Sequence, residues 1–199
     1  VTKQARTAWL VHGIFSRGSG ATSIDRLGPF FRAAGWRIAQ VDYGVRGPLG
    51  AFILNDDVAR GLAMDAGPDD VVIDHSNGAA VGQRASLEPG ARFQRMIHIS
   101  GALDVDAVPG PAVRRCWVCH SPDDGVLAAA RYVPRWLGGA LWGAQGRDGY
   151  RGDDPRMINL NLHDVLGVST LGHGGMFARE LIGKLGPALT AAAGQPLDP

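Results

Sequence analysis

The stretch Val71-Val72-Ile73-Asp74-His75-Ser76-Asn77-Gly78-Ala79-Ala80 decides how this chain reads. Three β-branched residues in a row predict a strand buried on both faces. Small residues from Gly78 onward open a helix. Between strand and helix, one short turn carries a serine. Such a turn lifts the hydroxyl above the edge of a sheet. Gly78 and Ala79 let the helix pack close to the strand. The helix N-terminus then favours negative charge building up on a bound molecule. A serine near a glycine means little alone, since both mark turns. Ser76 stands out because of its setting and of what the rest of the chain supplies in order.

Upstream, Leu10-Val11-His12-Gly13-Ile14-Phe15-Ser16 is a second apolar strand, followed by His-Gly. Acyl transfer to a serine needs two donors aimed at the developing oxyanion. We assign these to the backbone N–H groups of Ile14 and Asn77. Downstream, Val118-Cys119-His120-Ser121-Pro122-Asp123-Asp124-Gly125-Val126 ends a strand in a loop with two acids. Further on, Leu171-Gly172-His173-Gly174-Gly175-Met176-Phe177 places a histidine in a glycine-rich loop. Serine is a poor nucleophile until a base takes its proton. The base in turn needs a carboxylate to fix its tautomer and steady its positive charge. The order serine, aspartate, histidine is the one this kind of fold uses. His173 is therefore the candidate base, ahead of His163, which follows a strand without the glycine-rich setting. Asp123, Asp124 and Asp104 all compete for the acid.

Short apolar runs alternate with helical patterns along the whole chain. We expect strands at 8–11, 36–41, 70–74, 93–100, 116–120 and 158–162. We expect helices at 24–34, 55–66, 78–86, 126–141 and 175–193. Ser23 is a candidate N-cap and Gly35 a stop for the first helix, and Pro134 starts or kinks the fourth. Strands separated by helices predict one α/β domain over 1–199, with a mostly parallel sheet covered on both faces. The 138–154 stretch reads as a glycine-rich surface excursion, and 194–199 as a loose tail.

Composition sets the outer bounds. The chain has 199 residues, enough for a full core in one domain. Apolar residues make up 45% and charged residues 20%, with a formal net charge of +1. That balance points to neither nucleic acid nor an anionic membrane. No apolar run approaches a membrane span. No secretory layout precedes Trp9, which inclines the reading to the cytoplasm. Oligomeric state leaves no mark in the pattern.

Cys116 and Cys119 have the spacing of a redox or metal pair. In a strand, however, they point to opposite faces, so we read them as buried filler. No cluster has metal-ligand spacing, and no Gly-Lys-Ser/Thr phosphate cradle is present, so we expect no cofactor. His12 reads as a support of the oxyanion loop, His75 as packing under the elbow, and His98 and His120 as satisfied strand histidines. Tyr132, Trp136, Leu137, Leu141 and Trp142 recur at near-helical spacing. The bland account is a helix on the sheet; the sharper one is an apolar wall for an acyl chain. Phe15, Tyr43, Trp136, Trp142 and Met176 are the candidate substrate contacts.

On these four motifs the chain resembles the α/β-hydrolase superfamily, and within it the small, lidless lipases and esterases of the bacterial lipase-A kind. The likeness runs in motif order from about Trp9 to about Leu189. It implies Ser76 as nucleophile, His173 as base, and Ile14 and Asn77 as oxyanion donors. It also implies Asp124 as acid, because Asp124-Gly125-Val126-Leu127 matches the family's register better than Asp123 does. One position departs: Asp74 stands where the family keeps a small residue before its serine. The expectation is a serine hydrolase acting on carboxylic esters of small-molecule or lipid-like kind. The alternatives are a thioesterase or amidase with the same residues, or a binding module that kept the fold and lost the chemistry.

Overall fold

A computed structural model describes residues 5–13, 23–41, 48–130 and 143–197. Its centre is a six-stranded sheet: β1 (Thr7–Val11), β2 (Arg37–Val41), β3 (Val71–His75), β4 (Arg95–Ile99), β5 (Arg115–His120) and β6 (Met157–Asn161). The strands run in the order β2-β1-β3-β4-β5-β6, and every pair is parallel. Parallel neighbours require crossovers. The helices are α1 (Gly28–Ala33), α2 (Pro48–Asp65), α3 (Gly78–Leu87), α4 (Gly125–Ala130), α5 (Gln145–Asp148), α6 (Leu162–Leu166) and α7 (Arg179–Gly194). Helices α1 to α5 lie in crossovers between strands, β4 passes to β5 through a helix-free connection, and α6 and α7 follow the last strand.

Period-two alternation sorts the core into two layers. Leu10, Val71, Ile73, Ile97, Ile99 and Cys119 face one side, packed with Phe31 of α1 and with Leu185 and Leu189 of α7. Val11, Val72, Met96, Cys116 and Val118 face the other, against Leu62 of α2 and Val81 of α3. All five residues of β3 are buried, as expected of a central strand covered on both faces. Cys116 and Cys119 fall in opposite layers, which follows from their spacing along one strand.

Several boundaries move. The 24–34 helix is a 3-10 turn, Ile24–Leu27, running into α1, and Ser23 makes no side-chain cap. Gly35 closes it with φ +81°, the left-handed conformation glycine adopts without cost. The last helix likewise divides into a 3-10 turn, Gly175–Phe177, and α7. Helix α2 starts seven residues before the expected position.

The described part of the 138–154 stretch is a surface segment only in part: Arg151, Gly152 and Asp153 are exposed, whereas the start of α5 is buried. Gln145 is fully buried, and Gly146 sits where a Cβ would overlap the Ser100 and Gly101 backbone. Gly146 N–H donates to Gly101 O, and Ser121 N–H to Gly146 O, both at 2.9 Å. This segment therefore buttresses the ends of β4 and β5. The described tail is tethered rather than loose: the Arg115 guanidinium reaches Gln195 Oε1 and Pro196 O at 3.3 and 3.0 Å.

Candidate active site

The C-terminal ends of the strands converge on Ser76. It has φ +57°, a left-handed value that is strained for a residue with a Cβ. The surrounding structure holds it there. Ser76 N–H donates to Ile99 O at 3.1 Å, and Ser76 O accepts from Ala79 N–H and Ala102 N–H, also at 3.1 Å. Helix α3 begins two residues later and comes close to β1. A Cβ on Gly78 would lie 2.5 Å from Val11 O, so that position admits only glycine. Gly13 at the end of β1 packs against the Ser76 side chain, and His12 Nδ1–H donates to Gly13 O at 2.7 Å. Asn77 is buried at the start of α3.

Three side chains from separate loops meet in line. His173 Nδ1 is 2.7 Å from Asp124 Oδ2, and His173 Nε2 is 2.8 Å from Ser76 Oγ. A carboxylate can only accept, so Nδ1 carries the proton. In the neutral ring Nε2 then accepts from the serine hydroxyl. Asp124 is fully buried, whereas the His173 side chain is 16% exposed. The second oxygen of Asp124 accepts from Leu127 N–H at 3.0 Å, capping α4. That cap settles which of the two neighbouring acids turns inward.

The rival candidates lie elsewhere. Asp104 is exposed. Asp123 lies 3.4 Å from His163 Nε2, at the solvated side of the loop. Ser121 Oγ donates to Leu171 O at 2.8 Å and so accepts from His163 Nε2–H at 3.1 Å. His163 and Ser121 thereby link the loop bearing Asp124 to the loop bearing His173. Met176 is fully buried in the core and presents no surface to a ligand. The candidate positions Ile14, Phe15, Tyr43, Trp136 and Trp142 lie outside the described residues.

Two histidines prove to have specific partners. His98 on β4 stands beside Asp74 on β3 in the strand register, and its Nδ1–H donates to Asp74 Oδ1 and Oδ2 at 2.7 and 2.9 Å. Both side chains are fully buried. Burial pulls the imidazole down, but Asp74 and the neighbouring Cys116 outweigh it and hold it well above its usual range. Asp74 therefore points away from the site, into the layer under α3. A Cβ on Gly82 would meet its Oδ2 at 2.4 Å, so glycine there makes the room. The pairing had a signal in the sequence: Ile73-Asp74-His75 and Ile97-His98-Ile99 each set one polar side chain on the same face of successive buried strands. The other histidine is His75, whose Nε2 meets the His173 carbonyl.

Among the described residues, no three His, Cys, Asp or Glu side chains are grouped to hold a metal ion. No described helix is long and apolar enough to cross a membrane.

No protein-family model and no curated protein matches the chain by sequence. Solved structures do match by shape. Mouse alpha/beta hydrolase domain-containing protein 10 is 13% identical with a TM-score of 0.62, over 96% of this chain and 91% of its own. An extracellular alpha/beta-hydrolase from a Paenibacillus species is 14% identical with a TM-score of 0.58, over 96% and 100%. A pyrethroid hydrolase from Sphingobium faniae is 15% identical with a TM-score of 0.56, over 96% and 98%. Sheet order, the strained serine turn after the third strand, and likeness over nearly the whole length of these proteins agree: the chain has the α/β-hydrolase fold.

Proposed function

We propose that the protein is a serine hydrolase of carboxylic esters, working through an acyl-serine. One observation carries this reading: the unbroken line from Asp124 through His173 to Ser76, with both hydrogen bonds below 3 Å. Ser76 is the nucleophile, His173 the base and Asp124 the acid. The Ser76 hydroxyl attacks the ester carbonyl as its proton passes to His173 Nε2. Asp124 accepts from Nδ1–H, keeps the tautomer and stabilises the imidazolium. The backbone N–H groups of Asn77 and Ile14 receive the oxyanion, and the start of α3 adds its dipole. His173 then protonates the leaving alcohol, and water, activated by the same ring, releases the acid.

The reading as a binding module rested on Asp74 standing in the elbow. Its carboxylate is turned into the core and paired with His98, so it leaves the serine hydroxyl unobstructed.

The test is a p-nitrophenyl ester series of increasing acyl length, run beside Ser76→Ala. A covalent phosphonate probe should label wild type at Ser76 and leave the variant untouched. A folded wild-type protein that neither turns over any ester nor takes the probe would end the proposal. Matched thioesters and amides separate the three leaving-group classes.

A further inference from the structure

His75 is the last residue of β3 and the immediate neighbour of Ser76. Its side chain points to the opposite face of the sheet from Asp74, under the loop that carries His173. It is 7% exposed. Its Nε2 lies 3.1 Å from the main-chain carbonyl oxygen of His173. A carbonyl only accepts, so Nε2 holds the proton and donates it. The His75 ring lies 5.0 Å from the His173 ring, tilted by 40°, and meets Phe177 edge-on at 5.0 Å.

The loop it grips is poor in constraint. Gly172, Gly174 and Gly175 surround His173, and chains rich in glycine resist bending little. Ser121 holds the start of this loop through Leu171 O. His75 holds it at the residue whose side chain faces Ser76.

We propose that His75 is a positioning residue: by fixing the main chain of His173 from beneath, it sets where the imidazole meets the Ser76 hydroxyl. The inference rests on the reading of Ser76 and His173 given above. The nucleophile and the support of its base are consecutive residues, so the elbow that displays one also registers the other.

The charge state of His75 suits this task. Burial, then the nearby His173, push its pKa down to about 4; His12 acts in the same sense, while the His173 carbonyl and Asp124 oppose. Its Nδ1 has no hydrogen-bond partner among the described residues, as befits a ring that stays neutral. A neutral ring holds the loop without opposing the positive charge that forms on His173 during attack. A lysine or arginine would make the same hydrogen bond and oppose that charge.

The experiment compares His75→Leu, His75→Gln and His75→Asn with wild type. Gln carries its amide N–H near the place of the imidazole Nε2; Asn is too short to reach the carbonyl. The readouts are kcat and KM on a p-nitrophenyl ester, thermal melting, and the downfield NMR resonance of the proton between His173 and Asp124. His75→Leu and His75→Asn should lower kcat by about tenfold to a hundredfold, the cost of a misplaced reacting group. KM should stay within about twofold, since ground-state binding is untouched. The downfield resonance should shift or broaden in both, and His75→Gln should restore both kcat and resonance. Equal behaviour of Gln and Asn, or wild-type kcat and resonance in His75→Leu, overturns the inference. If His75→Leu fails to fold, the Gln–Asn comparison decides alone. Should wild type neither hydrolyse esters nor take the phosphonate probe, the reading of the site fails. The resonance then still decides whether His75 holds the His173 loop.

Discussion

The molecule holds two histidine–aspartate pairs that look alike and sit differently. In each, a ring Nδ1 lies 2.7 Å from a carboxylate oxygen. Asp74 and His98 are both sealed in the layer between the sheet and α3. Asp124 is equally buried, but His173 reaches the strand ends, and its second nitrogen faces Ser76 Oγ. The pairing in itself fixes a tautomer and favours an imidazolium. Only the second pair adds a serine hydroxyl and a path to solvent. Residue types and spacing to the partner do not separate the two; position relative to the sheet edge does.

The sharpest way to break this contrast is to remove the serine. Ser76→Ala should lower kcat by about a millionfold, with melting unchanged, as measured on p-nitrophenyl esters. Asp124→Asn should cost about ten-thousandfold, because the amide stabilises the wrong tautomer of His173. If Asp124→Asn left turnover intact while Asp123→Asn abolished it, the choice between the two acids would be wrong.

The inner pair should respond in stability rather than rate. His98→Ala leaves Asp74 buried and unpaired, and urea unfolding should show a loss of about 3–5 kcal/mol. Asp74→Val combined with His98→Leu removes both charges and fills the space. That double variant should lie between wild type and about 4 kcal/mol more stable, as apolar replacements of buried ion pairs do. In both cases kcat/KM of the folded enzyme should stay close to wild type. A rate loss as large as that of Asp124→Asn would erase the distinction drawn above.

The pH dependence sharpens it further. His98 titrates higher in the folded protein than in the unfolded chain. The folded state thus holds a proton that the unfolded chain releases above about pH 6.5. This contribution is complete below that pH and declines as pH rises toward the raised folded value. Urea midpoints should therefore fall from about pH 6.5 upward in wild type, and the double variant should lose that slope. The smallest effect belongs to the solvated pair. Asp123→Ala should change stability by less than about 1 kcal/mol, the usual worth of an exposed ion pair.

Much of the fold was legible because its signals are local. Apolar runs of strand length, such as Val71-Val72-Ile73, and glycines at their ends mark where β strands stop and helices begin. Parallel packing on both faces then follows from what such strands must bury. Where the signal was not local, the reading missed. Residues 138–154 read as a surface excursion because they are rich in glycine. Yet Gly146 is a glycine because the backbone of Ser100 and Gly101 occupies the space a Cβ would need. Composition shows the glycine but not the backbone that demands it.

The site divides in the same way. Sequence alone specified a serine on a strand-to-helix turn, and an acid and a histidine after later strands, since those are matters of chain order and local period. It favoured Asp124 over Asp123 and Asp104 only through a family resemblance, and it read His75 as packing and His98 as a satisfied strand histidine without naming their partners. Tertiary structure decided that Asp124 turns inward, because its other oxygen caps α4. It also decided that Asp74 turns away to His98 and that His75 reaches the His173 carbonyl. Those choices rest on distances between segments far apart in the chain, which exist only once the sheet has brought its strand ends together.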